Sequence, residues 1–253
     1  MKIKHFVIFI TFSLFWSCSE TPKHIHRIEG TQLNVNDSLS ENQQIEDFVK
    51  PYRDHIDKDL AKVLAHNPST LTKTDTPYNT ALGNLMADAV YQMTNPIYKN
   101  RTGREIDFVI LNNGGIRSSL PKGDVTTRSA FELMPFENMV VVVEISGDRM
   151  QELAQYLIKG KTAHPLSNQF QLHFNKDESI STFTVKGKPI IAEQTYHIAT
   201  TDYLMNGGDH MNFFSNPVSV TETDYLLRNL LIDYFTAIDT ISAVSDNRFG
   251  PNN

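Results

Sequence analysis

The sequence predicts a fold of the α+β class, a mixed α/β sandwich in which one domain layers helices on mixed β-sheets. Three observations lead there. Helical and strand-like periods alternate through the first half of the chain, the second half is rich in strands, and no internal repeat or low-complexity stretch intervenes. With 253 residues, 40% hydrophobic and 21% charged, the chain is long enough for a full core and has the composition of a globular protein.

From Ile45 onward, apolar residues fall at 45, 48, 49, 52, 56, 60, 63 and 64. That spacing predicts a first helix, stopped at Asn67-Pro68 because a proline disfavours helical geometry in the residue before it. In ALGNLMADAVYQM a second helix puts Leu82, Leu85, Met86, Ala89 and Val90 on one core-packing face. IDFVILN (106–112) and MVVVVEIS (139–146) read as central strands, and four consecutive valines imply burial on both faces. Ser146-Gly147-Asp148 opens a helix carrying Met150, Leu153, Tyr156 and Leu157, which Lys159-Gly160 closes with a C-cap glycine. QFQLHFN, STFTVKGKPI and TYHIATTDYL alternate as strands, the middle one interrupted by a Lys-Gly turn. The last helix is TETDYLLRNLLIDYFTAI, with Leu226, Leu227, Leu230, Leu231 and Tyr234 as its buried stripe.

Two loops carry residues suited to binding. After the first central strand comes Asn112-Asn113-Gly114-Gly115-Ile116-Arg117, where the glycines let the backbone approach a ligand and Arg117 can grip a carboxylate or phosphate with two parallel hydrogen bonds. Alone, this stretch reads equally as a tight turn with a surface arginine. TTDYLMNGGDHMNFF places Tyr203, Asn206, Gly207, Gly208 and Asp209 after another strand, and two such loops are harder to dismiss. Asp209 can accept from two neighbouring hydroxyls, as a ribose offers, and Tyr203 can stack on a planar base. In LMPFENM, Pro135 fixes the backbone beside Phe136, a further aromatic face that on its own reads more readily as a core residue.

Lys2 and Lys4 precede the apolar run Phe6 to Trp16, which ends at Ser17-Cys18. Residues 1–18 therefore read as a lipoprotein export signal ending at Cys18, the lipidated residue and the only cysteine. An ordinary signal with an incidental cysteine, or a buried amino-terminal helix, fits the same run. Residues 19–43 read as a flexible tether and 44–253 as the folded domain. The net charge of −6 becomes −8 once Lys2 and Lys4 leave with the signal. That balance excludes a nucleic-acid polymer as partner, since no basic patch is present to neutralise a row of phosphates.

LGNLMADAV, ILNNGGIR, MPFENMVVVVEISGDRM, TDYLMNGGDHMNFF and the terminal DNRF, in this order, resemble the carboxy-terminal domain of the 5′-nucleotidases and related periplasmic nucleotidases and cyclic phosphodiesterases. The likeness covers most of residues 75 to 250. It implies a nucleotide site in which Phe136 and Tyr203 sandwich the base, Asp209 holds the ribose, and Asn112 and Arg117 reach the phosphate. Gly114, Gly115, Asn206 and Gly208 complete the substrate-binding loops. Relatives usually carry an arginine or two before the LGNLMADAV segment, where this chain has Thr74-Asp75-Thr76-Pro77-Tyr78-Asn79. Leu166 to Phe170 also departs from the small turn common beside the base.

In that family hydrolysis takes place at two metal ions in an amino-terminal phosphatase domain, about 4 Å apart, held by Asp-x-His, Gly-Asp, Asn-His-Asp/Glu and Gly-x-His patterns. This sequence has no Asp-x-His and no Asn-His-Asp/Glu, and its nine histidines are scattered. His210 reads as a neighbour of the pocket. No catalytic residue and no metal or other cofactor is therefore expected in this chain; the divalent pair is expected on a separate metallophosphatase subunit. The two would form a split enzyme that hydrolyses nucleoside monophosphates in the bacterial cell envelope, this half being lipid-anchored. Two other readings stay open: an exported lipoprotein that binds nucleosides or nucleotides without a catalytic partner, and a structural surface lipoprotein with a lost site.

Overall fold

The computed structural model describes residues 25, 27–36 and 38–252. The signal reading, with Cys18, falls outside them, as does the start of the tether. Among the described residues no helix is long and apolar enough to cross a membrane. Residues 27–36 and 38–42 form neither helix nor strand. The chain divides into a compact unit, Val49–Asn253, and the residues up to Phe48.

Helix α1 spans Gln43–Leu60, contains Pro51 and buries none of its residues. It ends earlier than the apolar spacing predicts. Val63–Asn67 is instead strand β1, in which Ala65 and Asn67 are buried while His66 between them is exposed, an alternation that the helical reading absorbed. β1 pairs antiparallel with β3 (Gly123–Thr126). Helix α2 runs Ala81–Thr102, capped by the Thr80 hydroxyl and closed by Gly103 at φ 73°.

The main sheet has the order β2-β8-β4-β9, with β2 at Phe108–Val109, β4 at Met139–Ser146, β8 at Thr195–Thr201 and β9 at Ser219–Leu226. β2 pairs parallel with β8, and β4 pairs antiparallel with both its neighbours. The valine run of β4 is buried on both faces, each face serving a different core. Val140 and Val142 pack with Leu82 and Met86 of α2 and with Leu230 and Phe235 of helix α6 (Leu227–Thr236). Val141, Val143 and Ile145 pack with Leu153 and Leu157 of helix α4 (Gly147–Gly160) and with Phe108 and Phe170. Glu144, in the same run, is buried, and its carboxylate accepts from Ser219 Oγ at 2.6 Å and Thr195 Oγ1 at 2.9 Å. The Ser219 hydroxyl leads in holding that carboxyl below its usual range, against the cost of burial.

A second sheet, β10-β5-β6-β7, is built from Phe170–Phe174 (β5), Ile180–Val185 (β6), Lys188–Pro189 (β7) and Phe249–Pro251 (β10). Lys186 and Gly187 make the expected turn with φ 52° and 72°, the left-handed pair that a two-residue hairpin requires.

Three expectations are corrected in detail. The first central strand is shorter than 106–112: Ile110 N–H makes a last bond to the Ala199 carbonyl of β8, and Leu111 N–H then donates to the Pro165 carbonyl instead. The left-handed residue that ends α4 is Lys161, φ 48°, one place beyond Gly160. The last helix begins at Leu227, not at residue 221, because the β-branched segment before it pairs with β4 as β9, with Asp224 in a left-handed bulge at φ 58°. Leu226 is accordingly half-buried at the end of the strand, while Leu227, Leu230, Leu231 and Tyr234 are buried as expected.

Candidate nucleotide-binding site

The buried run 108–111 carries the chain out of the core and into a short 3₁₀ turn at Asn113–Gly115. This loop is tied down by its backbone. Asn113 N–H donates to His164 Nδ1 at 3.3 Å, its side-chain amide donates to the Ala163 carbonyl at 3.1 Å, and Lys73 Nζ donates to the Ile116 carbonyl at 2.7 Å. Gly115 leaves little room for a side chain: an added Cβ would lie 2.7 Å from Asn112 Oδ1 and 3.3 Å from Met134 Cε, so Asn112 would have to shift. Arg117 donates to the Gly114 carbonyl at 3.2 Å, and its guanidinium lies 5.8 Å from the centre of the Phe136 ring.

The second loop begins at Thr201, whose hydroxyl caps the single-turn helix α5 (Asp202–Met205) by accepting from Leu204 N–H. Gly207, Asp209 and His210 all take positive φ, 87°, 51° and 60°. That tight reversal brings Asp209 back onto the first loop. Its Oδ2 accepts from Asn112 Nδ2 at 2.7 Å, its Oδ1 accepts from Tyr203 OH at 3.0 Å, and its carbonyl accepts from Tyr156 OH at 2.9 Å. Gly208 lies directly under the tyrosine: a Cβ there would stand 2.5 Å from a ring carbon of Tyr203. The ring thus rests on bare backbone.

Both aromatic candidates are unusually open for their type, Phe136 at 41% and Tyr203 at 46% exposure, so neither is spent on the core. They line one cavity of about 320 Å³, together with Asn112, Gly114, Gly115, Arg117 and Asp209. The fold therefore brings seven of the nine sequence-predicted residues to one place. Gly208 and Asn206 border adjacent hollows, and Asn206 Nδ2 is committed to the Asp202 carbonyl at 2.8 Å.

Sequence reading missed several residues. Asn138 lines the main cavity and could have been found, because it stands two places after Phe136 in the quoted LMPFENM segment. Asp202 links the two arms of the site: its Oδ1 accepts from Tyr203 N–H at 2.8 Å and from Met139 N–H at 3.1 Å. Tyr156 and His164 form the back of a neighbouring hollow of about 570 Å³, which His210 also lines. Burial drives the His164 imidazole down to about 4, with the Asp209 charge opposing the shift, so this ring is neutral near pH 7. Burial, followed by the negative charge of Asp209, pushes the Tyr156 phenol up.

Arg117 is the arginine that lines the main cavity, and beside the stretch 74–79 Lys73 is committed to loop carbonyls. Among the described residues no group of three or more His, Cys, Asp or Glu side chains could hold a metal ion. A dimetal centre does not fit the residues of this cavity, which offers amides, aromatic faces, one arginine and one carboxylate already engaged by two donors.

The 5′-nucleotidase, C-terminal domain family model matches residues 61–216. The 5′-nucleotidase of Vibrio cholerae is 24% identical over 232 residues, covering 88% of this chain and 39% of that protein. The silent protein UshA(0) of Salmonella typhimurium is 29% identical over 157 residues, covering 60% of this chain and 27% of its own length. The chain thus spans well under half the length of these relatives. Among solved structures, a 5′-nucleotidase precursor from Thermus thermophilus superposes with a TM-score of 0.68 over 84% of this chain and 44% of that one, at 19% identity, which supports the same fold. With its fold and more than half of its residues accounted for in this way, the chain belongs to the 5′-nucleotidase C-terminal domain family.

Proposed function

We propose that this chain is the substrate-holding half of a split 5′-nucleotidase. It binds a nucleoside monophosphate with the base between Phe136 and Tyr203, the ribose hydroxyls on Asp209 and the phosphate toward Arg117 and Asn112. A separate metallophosphatase subunit supplies the metal pair and the hydrolytic step. The observation that carries the reading is the shared cavity: two exposed aromatic rings and a carboxylate fixed by Asn112 and Tyr203 line the same space. Binding of base and ribose, remote from the scissile bond, then positions the phosphate for attack on the partner. The reading includes export and lipid anchoring at Cys18. Export is supported by a relative named as a cell wall protein, Lmo0130 of Listeria monocytogenes, which is 30% identical over 157 residues; the anchoring rests on the sequence alone, on the apolar run that ends at Cys18.

A second reading, an exported nucleoside-binding lipoprotein without a catalytic partner, is favoured by the single arginine at the cavity and the commitment of Lys73 to carbonyls. Calorimetric titration with AMP and with adenosine, followed by phosphate release from AMP with manganese, separates these. Tighter binding of AMP without release is the expected result, with release appearing once the metallophosphatase is added. Preference for adenosine favours the second reading, and absence of binding by either ligand overturns both.

A further inference from the structure

Phe136 sits on a segment, Pro135 to Asn138, that belongs to neither helix nor strand, between helix α3 (Thr127–Leu133) and β4. Its carbonyls are met from the start of α6. Arg228 Nη1 donates to the Pro135 carbonyl at 3.1 Å and to the Phe136 carbonyl at 3.4 Å, and Leu227 N–H donates to the Asn138 carbonyl at 2.9 Å. The Arg228 guanidinium stacks 4.4 Å from the centre of the Phe131 ring, and Nη2 lies 3.6 Å from the exposed carboxylate of Glu137.

Arg228 is 8% exposed, and its buried Nε has no hydrogen-bond partner. Burying a guanidinium is costly, and two carbonyls, one aromatic face and one solvated carboxylate offset that cost only in part. An apolar side chain would fill the same space without the penalty. What an arginine adds is a charged donor, Nη1, shared by two successive carbonyls and kept in place by the planar group stacked on Phe131. Those carbonyls belong to the turn that presents Phe136, and Arg228 is not among the residues lining the cavity.

We propose that Arg228 is a positioning residue for the site: it fixes Phe136 at the cavity wall through the carbonyls of Pro135 and Phe136, without touching the ligand. The ring therefore meets a base already placed, and the ordering cost of the loop is met on folding rather than on binding.

The test has two arms, of which only the second rests on the nucleoside-binding reading. Trp16 is the sole tryptophan of the chain, so the full-length W16F/F136W protein carries a single indole at position 136. In the absence of ligand, R228M is expected to lower the anisotropy of that indole and raise its quenching by acrylamide. R228K, which keeps the charge but not the planar fork, should fall between R228M and the parent. Unchanged anisotropy in the folded methionine variant overturns the inference; if R228M does not fold, R228K decides on the same criterion. In the second arm, R228M should weaken adenosine binding about fivefold when Phe136 is present, roughly 1 kcal/mol, and add nothing in an F136A background. Equal factors in both backgrounds would mean that Arg228 acts on the fold as a whole, and would overturn the positioning role. A parent chain that binds neither adenosine nor AMP overturns the nucleoside reading and leaves the indole arm to decide on Arg228.

Discussion

Asn112 Nδ2 stands 2.7 Å from Asp209 Oδ2, a side-chain hydrogen bond between residues 97 positions apart in sequence. It joins the tips of the two glycine-rich loops and, with Tyr203 OH on the other oxygen, aims the carboxylate. Asp209→Ala should abolish any preference for adenosine over 2′,3′-dideoxyadenosine, about 1.5–3 kcal/mol for hydrogen bonds to a charged acceptor. Asn112→Ala should reduce that preference without erasing it. Competitive titration reads both, and a wild type indifferent to the two ligands would sink the ribose role.

Phe136→Ala and Tyr203→Ala should each weaken adenosine binding by about 1–3 kcal/mol, the usual worth of an aromatic face against a base. Tyr203→Phe keeps the face and loses the bond to Asp209, so its loss should be smaller, about 0.5–1.5 kcal/mol. If phenylalanine and alanine behave alike at 203, stacking is not what the tyrosine contributes.

Gly208→Ala tests the same ring from below. The new methyl would occupy space held by the Tyr203 ring at 2.5 Å, and Tyr203 is exposed enough to swing away. The expected outcome is a melting temperature near that of the parent and a binding loss comparable to Tyr203→Ala, about 1–3 kcal/mol. A large drop in melting temperature would place the glycine's role in the fold.

Arg117→Ala should cost AMP about 1.5–3 kcal/mol and adenosine little, measured by parallel calorimetry. Equal losses would remove Arg117 from the phosphate end and leave its contact with Phe136 as its main role.

His164 makes stability fall with acid in a defined window. Its folded value of about 4 lies below the ordinary 6.5, so the unfolded chain takes up a proton first as pH drops. The contribution is whole above pH 6.5, is lost between 6.5 and 4, and is flat below; its ceiling is about 3 kcal/mol. Denaturant titrations of the parent and of H164N at steps across that range should differ in slope there, since Asn keeps an acceptor near Asn113 N–H but cannot titrate. Parallel slopes would show that His164 takes up its proton alike in the folded and unfolded chain, against the depressed value.

The class of fold and most of the site were legible because they rest on local pattern. The valine run announced a two-faced strand, and the paired glycines with Asn, Arg and Asp marked the two loops that meet at one cavity. What failed was the boundary between periods. Val63 and Leu64 extend a helical spacing by chance but lie in β1, where Val63 pairs with Thr126 of β3, and Leu226 begins a leucine stripe yet ends a strand, because ladder partners far along the chain outweigh a local spacing. Within the site, Asn138 lay inside a quoted motif. Asp202, Tyr156 and Arg228 act through backbone groups 63, 53 and 93 residues away, a relation that no linear pattern encodes.

The alternation along β4 has a consequence for how the protein comes apart. Val140 and Val142 belong to one hydrophobic cluster while Val141 and Val143 belong to the other, so neither cluster can open without stripping the strand from its partner. The compact unit Val49–Asn253 should therefore melt as one cooperative transition, and amide protons on both sides of β4 should exchange with solvent through the same global opening.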